Sequence, residues 1–254
     1  MYWGHMFGWI HIVTLIIAVL ISLGLYFILR KRSAKTQTIV LGILSFSGIA
    51  GIICNLVMWN CPLAYLPFHL CSLNALILPI AVFTRNKILN NLTLLWCLGA
   101  AFALIVTEAF ANYKILSWAF VIYYFPHVLE LAIPILMFVF KLVERDAKCI
   151  ITSLVITLVT FTIVHFINVG LNSYFIAHNI LDTSGNILQV NYIYTIHPEN
   201  PLLELFYSII PHSYWYMMFA IPIIVVYLVL IYIDKIIIAI KNRKVKKHNK
   251  AHTN

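Results

Sequence analysis

The chain has 254 residues, 63% of them hydrophobic and 10% charged, with a mean hydropathy of +0.95. A water-soluble domain is nearer half apolar and a quarter charged, so this composition excludes one and indicates an integral membrane protein. The formal net charge of +9 calls for no nucleic-acid partner, because the basic residues cluster where membrane topology asks for them.

A spanning helix needs about 20 mostly apolar residues. The apolar runs predict an all-α polytopic protein with seven transmembrane helices, at 6–29, 37–58, 67–84, 91–110, 118–140, 149–170 and 213–233. Period-two alternation is missing from these runs, which argues against a β-barrel. The spans read as a single membrane domain over 1–240, followed by a basic tail over 241–254. The first residues, MYWGHM, lack a basic leader, so the first span is expected to stay as an anchor. Arg30, Lys31, Arg32 and Lys35 follow the first span. Arg85 and Lys87 follow the third, and Lys141, Arg145 and Lys148 the fifth. Lys235, Lys241, Arg243, Lys244, Lys246, Lys247 and Lys250 follow the seventh. Only Lys114 falls on the opposite side. The positive-inside rule then predicts the N-terminus outside and the C-terminus in the cytoplasm. The tail KNRKVKKHNK also suits contact with anionic lipid.

The connection over 171–212 is long enough to be structured or functional. DTSGN (182–186) reads as a turn and ILQVNYIY (187–194) as a short strand. In PENPLLELF, Asn200 as N-cap and Pro201 at N1 predict a short helix near 201–209, lying in the outer interface as a lid. PHSYWYMM (211–218) carries the Tyr/Trp belt of a headgroup boundary.

On this topology His5, His11, His69, His127, His165, His178, His197 and His212 fall in the outer half, while His248 and His252 fall in the tail. His127 and Glu130 lie three residues apart inside the fifth span and share a helix face. An ionisable residue within a span is by default a functional candidate. The pair reads as a general base with an orienting carboxylate. His69, Cys71, Ser72 and Asn74 open the third span in LPFHLCSLN, with His69 expected near the interface, where it meets water and headgroups. Cys71 and Asn74 share one face there, His69 and Ser72 another. His165, Asn168 and Asn172 make a polar stripe on the sixth span that either lines a cavity or holds the long loop. Glu108 and Asn112 are similarly spaced on the fourth, where a cap or loop contact is the simpler role. Cys54, Cys61, Cys71, Cys97 and Cys149 match no zinc or redox spacing. A disulfide from Cys61 to Cys54 or Cys71 is sterically conceivable.

LPFHLCSLN resembles a signature of the YwaF-like bacterial integral membrane proteins. YFPHVLE, INVGLNSY and HPENPLLELF…PHSYWYMM resemble further stretches of that family in the same order, and His11 falls where the family often has a histidine. The resemblance implies a seven-helix fold in a bacterial plasma membrane. That family is in turn distantly similar to a eukaryotic transmembrane acyltransferase family that remodels ether phospholipids. The likeness carries over histidines at His69 and His127. It does not carry over the nucleophilic cysteine, whose place is taken by Phe68.

The function expected from this reading is a lipid-directed enzyme. It would transfer or hydrolyse acyl groups on a phospholipid or lipoprotein at the outer leaflet. His127, Glu130 and His69 would be catalytic, with Cys71, Ser72, Asn74, His165, Asn168 and Asn172 lining the binding site. Membrane lipids are the expected partners, and no cofactor is indicated. The alternative is a solute-binding or transport protein with an outward-facing polar pocket. A metal held by His69, His127, His165 and Glu130 is a weaker option, since no HExxH-type spacing occurs.

Overall fold

A computed structural model describes residues 2–4, 6–58, 61–106 and 111–251, except the side chains of 239 and 242–251. His5, Glu108, His252 and the side chain of His248 lie outside the described part. The helices are α1 (Trp9–Leu29), α2 (Ala34–Met58), α3 (Leu70–Thr84), α4 (Lys87–Ile105), α5 (Trp118–Val139), α6 (Cys149–Ala177), α7 (Pro201–Ile209) and α8 (Ala220–Ala251). Among the described residues six segments are long and apolar enough to cross a membrane: α1, α2, α4, α5, α6 and 215–238. The basic tail is helical as far as Ala251, as a continuation of α8.

The third expected span is shorter than the sequence suggested. Pro67 pushes the residue before it out of the helical region, and Leu66 sits at ψ 144°. His69 is still extended, at φ −71° and ψ 151°. Helix begins only at Leu70, leaving 15 residues, or about 22 Å at 1.5 Å per residue. The hydrocarbon core is about 30 Å thick. The N-terminus of α3 therefore starts inside the bundle, roofed by the Pro62–Tyr65 turn and by residues around 190–194 that pack on it.

Helices α2, α3, α4 and α5 form the centre. α1 rests on α5, α6 on α4, and α8 on α6. The buried face of α2 carries Gly42, Ser45, Gly48 and Gly51, small residues that let helices approach closely. At Gly51 an added Cβ would lie 3.0 Å from the carbonyl oxygen of Ile122. Pro126, four residues on, has no N–H to offer that carbonyl, and the glycine lets α2 cover it.

Polar side chains tie the ends together. At the loop end the Trp3 indole donates to the Thr14 hydroxyl at 2.8 Å, and fully buried His11 uses both ring nitrogens. It accepts from the Phe7 N–H at 2.8 Å and donates to the Leu104 carbonyl at 2.9 Å. At the basic end Lys87 pairs with Asp146 at 2.7 Å. Asn91 donates to the carbonyls of Lys87 and Glu144 and accepts from the Tyr232 hydroxyl.

The strand expected over 187–194 is missing; the described residues contain isolated bridges only, one of them Leu181 with Ile187. Residues 188–191 take no regular structure and Tyr192–Tyr194 form a 3₁₀ turn, so the backbone finds its partners elsewhere. Asn172 donates to the Val190 carbonyl at 2.9 Å and accepts from the Val190 N–H at 2.8 Å. Asn168 does the same for Tyr192, at 2.9 and 3.0 Å. Residues four apart on a helix are about 6 Å apart along its axis, close to two residues of extended chain. Two asparagine amides on α6 thus stand where a neighbouring strand would. The helix predicted beyond them is present, with Asn200 capping the Leu203 N–H at 3.0 Å and Pro201 opening α7.

Candidate functional site

The first turn of α3 places Cys71 and Ser72 at a helix N-terminus, where backbone N–H groups lack carbonyl partners. The Cys71 thiol rests against the Ser72 hydroxyl and the backbone N–H groups of its own turn. Three residues further along the same face, Asn74 is fully buried, and neither atom of its amide has a hydrogen-bond partner.

Across the bundle α5 supplies His127 and Glu130, both buried. The Nδ1 of His127 lies 2.6 Å from the carbonyl of Tyr123. A carbonyl only accepts, so Nδ1 carries the proton and Nε2 presents the lone pair. That Nε2 is buried and has no partner. The Tyr123 ring lies over the imidazole, with centroids 4.3 Å apart. The orienting carboxylate expected from the His127–Glu130 spacing is thus replaced by a backbone carbonyl one turn back. Glu130 instead points one oxygen toward α2, where a Cβ on Gly48 would lie 2.9 Å from it and 2.6 Å from that of Ala75. Its other oxygen has no partner. Cys71 and Tyr123 each lie within electrostatic reach of Glu130, and Tyr194 within reach of Cys71. These side chains form one polar seam through the bundle.

His69 is half-buried, and its ring is engaged by the 190–194 segment. Its Nδ1 accepts from the Ile193 N–H at 3.4 Å, and its ring is flanked by Tyr192 and Tyr194 with centroids 5.5 Å away. Ile193 and Tyr194 both adopt positive φ, 54° and 57°. That is an uncommon conformation, and an outlier for a β-branched residue. The surrounding bonds hold them there: the Tyr192 hydroxyl donates to the Leu63 carbonyl and the Tyr216 hydroxyl to that of Tyr194. Burial pushes the hydroxyls of Tyr192 and Tyr194 up to about 12, so both remain donors at neutral pH.

The stripe on α6 belongs to the loop. The His165 Nδ1 lies 3.2 Å from the Thr195 hydroxyl, and Asn168 donates to the same hydroxyl at 2.9 Å. Asn74, His127 and Glu130 are thus buried, and His69, Cys71 and Ser72 are half-buried at the start of α3, while His165, Asn168 and Asn172 hold the loop. Among the described residues no three His, Cys, Asp or Glu side chains gather to hold a metal, and all five cysteines are free. Tyr123, Tyr194 and Gly48 were not singled out from the sequence. Tyr123 is legible in hindsight, four residues before His127 on the same face. Tyr194 reaches the seam only through the loop.

The model of the TMEM164 family matches residues 6–232, and the chain belongs to that family. No curated protein and no solved structure matches it.

Proposed function

We propose that this member of the TMEM164 family is a membrane-embedded enzyme that transfers or hydrolyses acyl groups on a phospholipid or lipoprotein. The proposal places it in a bacterial plasma membrane, with the loop end outside and the basic end cytoplasmic. The YwaF-like motifs and the asymmetry of lysine and arginine support that setting. The observation that carries the reading is that, of seven buried side-chain polar atoms without partners among the described residues, four fall on α3 and α5: His127 Nε2, both amide atoms of Asn74 and one oxygen of Glu130; the other three are single atoms of Ser47, Asn90 and Ser153. Each such group costs about 1–3 kcal/mol, and ionisable residues inside a bundle are by default functional candidates.

In this mechanism His127 is the general base. Its Nε2 takes the proton from an attacking hydroxyl, thiol or water as that group adds to the acyl carbonyl. It then returns the proton to the departing oxygen as the ester C–O bond breaks. Cys71, Ser72 and a lipid or water hydroxyl are the attacking groups at hand. The free N–H groups of the α3 N-terminus, with Asn74, stabilise the oxyanion. His69 accepts at Nδ1, so its neutral ring carries the proton on Nε2 and serves as a donor. Glu130, buried and in no ion pair among the described residues, enters as a hydrogen-bonding carboxyl group and not as a charge.

The test is lipid profiling of cells lacking the protein, complemented with wild type, His69→Ala or His127→Ala. One lipid class should shift in the null strain, recover with wild type and recover with neither variant. An unchanged lipid profile, with both variants present at wild-type levels, would overturn the enzyme reading and favour solute binding.

A further inference from the structure

A separate cleft opens to lipid at the basic end, between α5 and α8. It has a volume of about 520 Å³, with Leu94 of α4, Ile135 and Val139 of α5, and Tyr227 and Ile231 of α8 among its walls. Ile135 is 42% and Val139 49% exposed, so its α5 wall faces outward. Tyr227 closes the inner end by donating to the Leu94 carbonyl at 3.0 Å. Arg145 is the one charged residue that lines the cleft. Its guanidinium is held in place, donating to the Ile231 carbonyl at 2.5 Å and to Asp234 at 2.9 Å. A guanidinium has five N–H groups in a rigid fork. Two of these bonds fix the group, and the rest of the fork stays available to a phosphate at little further entropic cost.

The geometry points to this cleft as a binding site for an acyl chain of an anionic phospholipid, with the lipid phosphate on Arg145. The length of the apolar walls suits a chain, and the cation sits at the end where a headgroup lies. Exposed Lys141, Lys148 and Lys235 outnumber the exposed acids Glu144 and Asp234 at the same end. A zwitterionic lipid would bring its own ammonium into that rim, whereas an anionic one is attracted. The site is independent of the chemistry at His127.

The test is apparent affinity of the purified full chain for phosphatidylglycerol and for phosphatidylcholine, read from thermal unfolding as each is titrated into detergent. Wild type should bind phosphatidylglycerol about fivefold more tightly, the factor one cation near the surface supplies. Ile135→Trp fills the cleft and should abolish the preference, as should Arg145→Gln. Asp234→Asn frees the guanidinium and should strengthen it, whereas an Arg145 that serves only as an ion-pair partner predicts a weaker preference. Equal affinities in wild type, a preference that survives Ile135→Trp, or a loss in Asp234→Asn would each overturn the assignment. If Arg145→Gln does not fold, the other two variants decide.

Discussion

The asparagine clasp on α6 is the most quantitative handle on the roof of the site. Asn168 makes bonds of 2.9 to 3.0 Å to the Tyr192 backbone and the Thr195 hydroxyl. Asn168 and Thr195 are 0% exposed and Tyr192 1%. Asn168→Ala leaves a buried N–H and a buried carbonyl of Tyr192 without partners, each costing about 1–3 kcal/mol. Local opening admits some water, so a net loss of about 3 kcal/mol is expected, or about a hundredfold in the opening equilibrium. Amide hydrogen exchange reads that equilibrium directly. The Tyr192 amide should exchange about 100-fold faster, with Leu188 through Ile196 following and the α5 amides unchanged. Asn168→Asp should not rescue it, because the second oxygen faces the Tyr192 carbonyl without a proton to donate. If protection at Tyr192 were unaltered in Asn168→Ala, the amide bonds would not be what holds the segment.

Gly48→Ala places a methyl 2.6 Å from the Ala75 side chain and 2.9 Å from Glu130. Overpacking of this kind costs about 1–3 kcal/mol, so the unfolding temperature should fall. Because α3 and Glu130 both shift, the proposed acyl-transfer or hydrolysis activity should fall further than in Ile43→Ala, a substitution on the exposed face of α2. At the basic end, Lys87 beside Asp146, helped by the Lys148 N–H, holds that carboxyl below its ordinary 3.8. A depressed carboxyl stabilises the fold above its unfolded pKa and loses that contribution as pH falls through the folded value. The stability difference between wild type and Asp146→Asn should therefore be present at neutral pH and vanish in acid well below 3.8. A difference that persists unchanged into strong acid would show that the ion pair contributes nothing.

Composition and hydrophobic run length decided the class of protein without any tertiary information, because burial of about 20 apolar residues in lipid is a property of the run itself. The short helix α7 was equally legible, since Asn200 and Pro201 cap it through bonds within a few residues. Local sequence also marked the polar residues within the apolar helices: LPFHLCSLN and FPHVLE spend hydrogen-bonding groups where lipid gives no solvent for them. Their assignments needed the fold. The spacing of His127 and Glu130 suggested a dyad, yet the Tyr123 carbonyl reaches Nδ1 first, a choice made by the rotamer and by the neighbours of α5. Period-two alternation at 187–194 predicts a strand, but periodicity cannot say which groups satisfy the backbone or that Tyr192–Tyr194 turn as a 3₁₀ helix. Only the tertiary structure placed Asn168 and Asn172 against that backbone. It also shortened α3 at Leu70 and carried Tyr194 over His69 from a loop more than a hundred residues away. Run length and capping are local terms, legible one segment at a time; the site depends on which helices approach closely enough to share their unpaired groups, and α2 decides that through Gly48 and Gly51.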